Sequence, residues 1–280
     1  MSDLAAQFRS LHAGPGVLRL VNAWDRLSAR VFVAAGAPAI GTSSFAVALA
    51  RGYMDGERIP LDEVVAAAAE IVAAVDVPVT VDIEAGYGPE PADVDRTVAR
   101  ILSTGAVGIN LEDGRPDSPG GLSPVDDQCR RIAAARRRAE SEGVALFVNA
   151  RCDVYFGASI VAGDRFSTAV ERLAAYVDAG ADGVFVPGLT DGPTIADIAA
   201  KVAAPVNVML APNLPAMDEL RAAGVRRLSQ GGGAFLQAIG YLGQMTAAYL
   251  DGTDPTQYGG DVSPGFQYLP NLVAGAAQRS

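Results

Sequence analysis

Carboxylate side chains end two successive apolar runs of the chain and are candidate metal ligands. Asp82 and Glu84 stand two residues apart in VTVDIEAGYG, and Glu112 and Asp113 follow one another in INLEDG. Side chains two apart on a strand point to the same side, so we expect Asp82 and Glu84 to enter one pocket. Such acids repel one another unless a cation lies among them, and an all-oxygen set suits Mg²⁺ or Mn²⁺. The alternative is that one or two of them only cap the helices that follow.

The same region of the sequence offers groups that could hold an anion. Arg151 is the lone cation of the stretch FVNARCDVY, and arginine binds carboxylates with two parallel hydrogen bonds, so it is a candidate substrate anchor. The alternative is a structural ion pair with Asp153 or Glu112. Ser43 and Ser44 lie in GTSSFAVALARGYMDG, where hydroxyl and backbone N–H groups could meet a carboxylate or an enolate oxygen. Loops of this composition also arise for turn formation alone.

Two residue types are nearly absent, and this narrows the chemistry. His12 is the only histidine and falls in a polar segment ahead of the first strand, which argues against a histidine triad or a multi-histidine metal site. Lys201 is the only lysine and ends a predicted helix, which argues against a Schiff-base aldolase. Cys129 and Cys152 are the only cysteines and form no disulfide framework, so we interpret both as reduced thiols.

Composition and charge limit the class of protein. The 280 residues are 50% hydrophobic and 19% charged, which predicts one globular domain with a large core. The formal net charge is −10 and no basic run occurs, so we expect no nucleic-acid partner. We also find no leader peptide and no apolar stretch of the roughly 20 residues that a membrane helix needs. The sequence therefore predicts a cytoplasmic protein that does not bind membranes.

Eight apolar segments alternate with alanine-rich amphipathic ones, as expected for buried parallel strands covered by helices. A short pattern recurs in AGAPAIG, TGAVGIN, AGADGVF and AAGVRRL, where a glycine after a helix precedes the start of a strand. Eight such units in a chain of this length predict an α/β protein with a closed (β/α)8 TIM barrel. We predict a single barrel domain over residues 1–251 and a tail over 252–280. The predicted strands are 17–23, 39–43, 77–83, 107–112, 146–151, 183–187, 206–210 and 226–229.

These segments, in this order, resemble the isocitrate lyase and phosphoenolpyruvate mutase superfamily. The resemblance runs from VNAWDRLSARVFVAAGAPAIGTSS through VDIEAGYG, INLEDG, VNARCD and PVNVML to ELRAAGVRRLSQGGGAF. VDIEAGYG is similar to the metal motif D-x-D-x-G-Y-G of that superfamily, with Glu84 in place of the second aspartate. The catalytic groups of a TIM barrel come from the C-terminal ends of its strands, which is where these motifs fall.

The resemblance implies a role for each matching position. It makes Asp82 the principal Mg²⁺ ligand, with Asp55, Glu84 and Glu112 in the surrounding shell and Mn²⁺ as an alternative ion. Arg151 would bind the substrate carboxylate. The expected catalytic residues are Arg151, Ser43 and Glu112; the expected substrate-binding residues are Trp24, Ser43, Ser44, Tyr87, Gly88, Arg151 and Asn207.

One segment departs from the family pattern. Members that cleave isocitrate or methylisocitrate carry a K-[KR]-C-G-H lid whose cysteine acts as acid and base, whereas the corresponding stretch here reads GRPDSPGGLSP. It contains no cysteine, lysine or histidine, which argues against those two activities by the usual mechanism. The Lys and the Asn or Thr that phosphonopyruvate-processing members use in the lid are missing too. A decarboxylase needs no such acid, because chelation of the α-keto acid and water for reprotonation are sufficient.

We therefore predict an Mg²⁺-dependent lyase that acts on a small α-keto or 2-hydroxy carboxylic acid through an enolate, by oxaloacetate-like decarboxylation or retro-aldol cleavage. The alternatives are phosphorus–carbon chemistry of the mutase or phosphonopyruvate hydrolase type, and a barrel that binds keto acids without turnover. The resemblance further implies a homo-oligomer, a homotetramer built from dimers that exchange their last helix. The segment GGGAFLQAIGYLGQMTAAYL suits that role, although it also suits an ordinary eighth barrel helix.

Overall fold

Eight short parallel strands alternate with helices and close into a ring in a computed structural model that describes residues 2–115, 121–157 and 163–252 and the single positions 265, 268 and 272. The strands are β1 Leu18–Ala23, β2 Ile40–Thr42, β3 Val79–Asp82, β4 Gly108–Glu112, β5 Phe147–Arg151, β6 Gly183–Val186, β7 Val206–Met209 and β8 Val225–Ser229. Each strand pairs with the next, and β8 pairs with β1 through Arg227 and Leu18. The predicted TIM barrel is confirmed.

Helices fill the connections and surround the barrel. They are α1 Ser2–Ala13, α2 Arg26–Ala34, α3 Ser44–Ala50, α4 Leu61–Val72, α5 Pro91–Leu102, α6 Val125–Ser141, α7 Arg165–Asp178, α8 Gly192–Lys201, α9 Met217–Ala222 and α10 Gly233–Leu250. The glycines of the recurring pattern, Gly36, Gly105, Gly180 and Gly224, all have φ between 89° and 109° after a helix. That backbone conformation is costly for a residue with a side chain, so the predicted helix–glycine–strand turn is correct.

The main hydrophobic core lies outside the barrel, between the sheet and its helices. Strand residues such as Val81, Leu111 and Val148 are fully buried there against α4, α5 and α6 residues such as Ile71, Ile101 and Ile132. The strand residues that face inward are largely polar. Buried polar side chains of the barrel strands include Asn22, Thr80, Asn110, Asn149, Asn207, Arg227 and Ser229.

Helix α1 closes the N-terminal end of the barrel. Phe8 of this helix packs edge-on against Phe147, and His12 stacks on the same ring with centroids 4.2 Å apart. The sequence places His12 in a polar segment, but its side chain is buried. Burial lowers the pKa of His12 to about 4, so the ring is neutral and its Nδ1–H donates to the Phe8 carbonyl at 2.8 Å. The histidine is far in the fold from the strand ends that carry the acids.

Helix α10 differs from the other long helices because Phe235 is the one buried residue along its 18 positions. Leu236, Ile239, Leu242 and Leu250 are all exposed. Most of the predicted tail 252–280 lies outside the described residues, so its separation from the barrel stays a prediction. None of the described helices combines the length and apolar character needed to cross a membrane.

Candidate active site at the C-terminal barrel mouth

A cavity of about 310 Å³ opens at the C-terminal ends of the strands, where the sequence placed the chemistry. Its wall has a polar part and an apolar part. The polar part comprises Asn22, Ser43, Ser44, Asp55, Asp82, Asn110, Arg151, Ser229 and Gln230. The apolar part comprises Phe45, Phe156, Phe185, Met209, Leu210 and Leu236. Five of the predicted site residues, Ser43, Ser44, Asp55, Asp82 and Arg151, thus share one cavity.

Ser43 and Ser44 enter the cavity where β2 passes into α3. Ser43 is the N-cap of α3, and its Oγ accepts the Ala46 N–H at 3.3 Å. A hydroxyl that accepts a hydrogen bond still has its O–H to donate, so Ser43 can offer a donor to a ligand. The Ser44 side chain is hydrogen-bonded to Asp55, which ties the loop after α3 to the mouth of the barrel.

Asp82 and Asp55 form the acidic side of the cavity. Burial raises the pKa of Asp82, the positive charge of Arg151 opposes this shift, and the negative charge of Asp55 adds to it. Desolvation likewise raises the pKa of Asp55. Two carboxylates that lose solvent near each other are stabilised by a cation, and Mg²⁺ is commonly held by one or two carboxylates with water in its other positions. This pair of carboxylates therefore fits the ion that the resemblance implies.

Arg151 is held from two sides by acids. Its Nη1 lies 2.7 Å from Glu112 Oε2, while Nε and Nη2 donate to the two carboxylate oxygens of Asp153 at 2.6 and 2.9 Å. Burial alone would lower the pKa of Arg151, but attraction by Glu112 and Asp153 outweighs it and raises the pKa. A guanidinium has more N–H groups than these three contacts use, so Arg151 can be both an ion-pair partner and a carboxylate anchor.

Aromatic rings complete the surroundings of this guanidinium. Its central carbon lies 4.7 Å from the centre of the Phe156 ring and 5.9 Å from that of Phe185. Both rings line the cavity, and cation–π attraction restricts the guanidinium further. The anion-binding group is therefore fixed in position before any ligand arrives.

Glu84 shares a small void with Asp82, as strand alternation led us to expect, but it does not line the 310 Å³ cavity. β3 ends at Asp82, and Glu84 has a φ of 50°, so the alternation stops before it. Its Oε2 accepts the backbone N–H groups of Gly56 and Glu57 at 2.9 and 2.6 Å, and its Oε1 accepts the Tyr87 hydroxyl at 2.9 Å. Burial, with repulsion by Asp55, raises its pKa to about 7. Glu84 thus holds the 55–57 loop.

The predicted four-carboxylate shell of Asp55, Asp82, Glu84 and Glu112 is not assembled around one point. Among the described residues, no group of three or more histidine, cysteine, aspartate or glutamate side chains is arranged to hold a metal ion. The reason is that Glu84 binds backbone N–H groups and Glu112 pairs with Arg151. Asp82 and Asp55 remain as the candidate protein ligands.

The other predicted contact residues lie beside or below the cavity and do not line it. Trp24 packs against Phe235 with ring centroids 5.3 Å apart. Tyr87 borders a small void next to Glu84, and Gly88 borders a separate cavity of about 150 Å³. Asn207 is buried one layer down, where its Oδ1 accepts from Ser229. Of the lid segment 114–124, residues 116–120 lie outside the described residues.

Sequence reasoning missed four polar lining residues, Asn22, Asn110, Ser229 and Gln230. Asn110 lies two positions before Glu112 on β4, so the alternation applied to Asp82 would have found it. Asn22 bridges the barrel mouth, because its Nδ2 donates to the Thr42 carbonyl and its Oδ1 accepts the Gly231 N–H. Nothing in the local sequence marks Asn22 as different from a structural asparagine.

Comparisons with known proteins agree with this architecture. The profile of a family described as phosphoenolpyruvate phosphomutase matches residues 8–250. An uncharacterized protein of Mycobacterium tuberculosis (strain H37Rv) is 37% identical over 245 residues, which cover 88% of this chain and 89% of that protein. An oxaloacetate decarboxylase of Rhodopseudomonas palustris (strain BisB5) is 28% identical over 264 residues, covering 90% of this chain and 86% of that one.

A solved structure is similar over most of both chains. It is a provisionally assigned phosphonomutase of Burkholderia cenocepacia J2315, 44% identical, with a TM-score of 0.83 over 88% of this chain and 99% of that chain. The family resemblance inferred from the motifs is therefore confirmed. The profile match over residues 8–250, together with a relative 37% identical over 88% of the chain, establishes that this protein belongs to the phosphoenolpyruvate phosphomutase family, within the isocitrate lyase and phosphoenolpyruvate mutase superfamily.

Proposed function

We propose that this protein is an Mg²⁺-dependent lyase that cleaves the bond next to the carbonyl of a small α-keto or 2-hydroxy carboxylic acid. The observation that carries the proposal is the composition of the cavity wall: a fixed guanidinium, a serine hydroxyl donor and two desolvated carboxylates share it, while no described histidine, lysine or cysteine lines it. Such a site can bind an anion and stabilise an enolate, but offers no lysine for a Schiff base and no histidine base to activate a serine. An oxaloacetate decarboxylase and 2-methylisocitrate lyases are both among the relatives. The lid segment, which has no cysteine, lysine or histidine in its sequence, favours decarboxylation over retro-aldol cleavage.

Some of these side chains bind the metal ion or the substrate, and others orient the groups that bind. Asp82 and Asp55 would hold Mg²⁺, which supplies polarisation of the substrate carbonyl when it is bound. Arg151 binds the carboxylate with its remaining N–H groups, and the ion pairs with Glu112 and Asp153 keep the guanidinium plane fixed. The Ser43 O–H donates to the oxygen on which negative charge develops. Loss of CO₂ leaves an enolate carbon that takes a proton from water at the open mouth.

A second candidate function is phosphorus–carbon chemistry on phosphonopyruvate. The specific observation in its favour is the 44% identity to the Burkholderia protein described as a phosphonomutase. The same keto-acid anchor would serve that substrate. The third candidate, binding without turnover, follows from the lid segment, which lacks the acid/base groups of the family.

Purified protein with Mg²⁺ and oxaloacetate should release pyruvate faster than an enzyme-free solution of the same Mg²⁺ concentration. Pyruvate is measured by a coupled dehydrogenase, and phosphate release from phosphonopyruvate is followed in parallel. Chelation of the metal should return the rate to the background, because the carbonyl is then no longer polarised. Phosphate release without pyruvate from oxaloacetate would move the assignment to phosphorus–carbon chemistry. Saturable binding of both acids with no turnover would leave only the binding role.

We also propose that the protein is a homo-oligomer in which α10 packs on a second copy of the chain. The exposed apolar side chains Leu236, Ile239 and Leu242 support this, because burying them would remove a large apolar surface from water. The molar mass from light scattering should exceed that of one chain, 28.8 kDa. Leu242→Asp with Ile239→Asp should reduce it towards that value, whereas Gln237→Asp on the same helix should not. A wild-type mass of one chain would refute the assembly.

A further inference from the structure

Arg227 is a charged residue buried inside the barrel. It is 1% exposed and points inward from β8, like Ser229, while Leu228 between them is partly buried and packs against the outer core. Val225 faces that outer core too, because the pairing of β7 with β8 shifts register between Val225 and Arg227. Among the described residues no aspartate or glutamate lies within ion-pair distance of it; the arginine ion pairs of the structure involve other arginines. A buried arginine is normally paired, because taking its charge out of water is costly.

The hydrogen bonds of Arg227 do not satisfy all of its N–H groups. Arg227 Nε donates to Ser229 Oγ at 2.9 Å and Nη2 to Asn110 Oδ1 at 3.4 Å, whereas Nη1 is buried and finds no hydrogen-bond partner in the part of the chain that the structure describes. Burial lowers the pKa of Arg227 to about 9, with attraction by Asp82 opposing the shift. If Arg227 served only to stabilise the fold, an apolar side chain of similar length would serve better, because it carries no charge that must be removed from water.

The contacts of Arg227 determine which atoms face the cavity. Arginine can only donate hydrogen bonds, so the Asn110 atom next to it must be the amide oxygen. The Asn149 amide donates to the same oxygen at 2.8 Å. With two donors on Oδ1, the N–H₂ group is the part of the Asn110 amide that remains for other partners, and Asn110 lines the cavity.

Ser229 is fixed in a related way. Its Oγ accepts from Arg227 and donates to Asn207 Oδ1 at 3.1 Å, so its hydrogen is already committed below the cavity. Ser229 also lines the cavity. Arg227 therefore contacts two residues of the cavity wall from underneath.

We propose that Arg227 is a positioning residue that holds the Asn110 amide with its N–H₂ group towards the cavity, where it donates to an anionic oxygen of the ligand. The inference rests on the proposed function for its ligand class, a planar carboxylate anion next to Asp82 and Arg151. The positive charge beneath the cavity also offsets part of the negative charge of Asp82 and Asp55, which would otherwise repel such an anion. Oxalate, a planar dicarboxylate shaped like the enolate of pyruvate, is the probe.

The test compares Arg227→Met and Arg227→Lys with Arg226→Met, the same change one residue away on the partly buried face. Calorimetric titration with oxalate in the presence of Mg²⁺ should show affinity lower by about 10-fold or more in both Arg227 variants and unchanged in Arg226→Met. Thermal unfolding of Arg227→Met should occur at or above the wild-type temperature, because an unpaired buried charge has been removed. A purely structural role would lower the unfolding temperature instead.

A double-variant cycle with Asn110→Ala separates positioning from a general electrostatic effect. If Arg227 acts through Asn110, Arg227→Lys should cost little further affinity in the Asn110→Ala background. Additive losses, or wild-type oxalate affinity in Arg227→Lys, would overturn the inference, and so would an Arg227→Met protein that unfolds early yet binds oxalate normally. Because binding is measured without turnover, failure of the lyase assay would leave this result interpretable.

Discussion

Replacing Asp82 with alanine should abolish Mg²⁺-dependent turnover, by on the order of 10³-fold or more, since the central candidate ligand is lost. The fold should survive, because the pKa of this carboxyl is raised by burial and its removal relieves a desolvated charge. The substitution also removes the hydrogen bond that the Glu84 N–H donates to Asp82 Oδ1 at 3.0 Å. Steady-state rates across a Mg²⁺ titration, with circular dichroism of the folded variant, check this result.

Two comparison variants make the Asp82 result specific. Asp82→Asn keeps the shape and an acceptor oxygen for the Glu84 N–H but removes the charge, so it should be nearly as inactive as alanine. Asp62→Ala removes an exposed acid on α4 that pairs with Arg100 and should leave the rate unchanged. Full activity in Asp82→Ala at saturating Mg²⁺ would eliminate the metal assignment.

Replacing Arg151 with methionine should cost both substrate binding and stability. Glu112 and Asp153 would then face each other in a buried site without their shared cation, and breaking a buried ion pair from one side typically costs roughly 3–5 kcal/mol. Arg151 now lowers the pKa of Glu112 against the larger effect of burial, so its removal raises that pKa further. When the pKa of a carboxyl is higher in the folded than in the unfolded protein, the free energy of unfolding falls as the pH rises. The variant should therefore be more stable in acid than at neutral pH.

Urea unfolding of Arg151→Met at pH 5 and pH 8 measures this stability and its pH dependence. Adding Glu112→Gln should restore part of the loss at the higher pH, because one of the two unpaired charges is then absent. Substrate affinity should not recover in the double variant, since the anchor itself is missing. Equal stability of Arg151→Met and wild type at pH 8 would show that the three charges are not interdependent.

The sequence predicts the fold well because the signals that determine it are local and repeated. Buried parallel strands read as short apolar runs, and the turns before β2, β4, β6 and β8 each need a glycine at one fixed position. The C-terminal ends of the strands then indicate where polar residues meet. This rule predicted that Asp82, Arg151 and Ser43, which are distant in the sequence, lie close together, and all three line one cavity.

The details that the sequence did not predict depend on backbone conformation and on side-chain partners. Glu84 does not line the 310 Å³ cavity because it has a positive φ, two residues past the end of β3. The alternation rule assumes an extended backbone and therefore does not apply to this residue. Glu112 was expected beside a metal ion but pairs with Arg151, which the sequence analysis gave only as the alternative, because the letters INLEDG and VNARCD are compatible with both arrangements. Arg227 reads as one of two arginines in VRRL, and only the closed barrel shows that it faces inward.

The amides and hydroxyls that fill the barrel interior have a consequence for the evolution of this family member. The apolar packing that stabilises the fold lies in the outer layer between strands and helices. The polar side chains inside the barrel therefore contribute more to ligand specificity than to the stability of the fold. Exchange of Asn110, Asn149 or Asn207 for another small polar residue would therefore alter the pattern of donors and acceptors presented to a ligand while the scaffold around it is retained. A protein built in this way can acquire new substrates through inward-facing strand positions, in addition to the loops that usually diversify a TIM barrel.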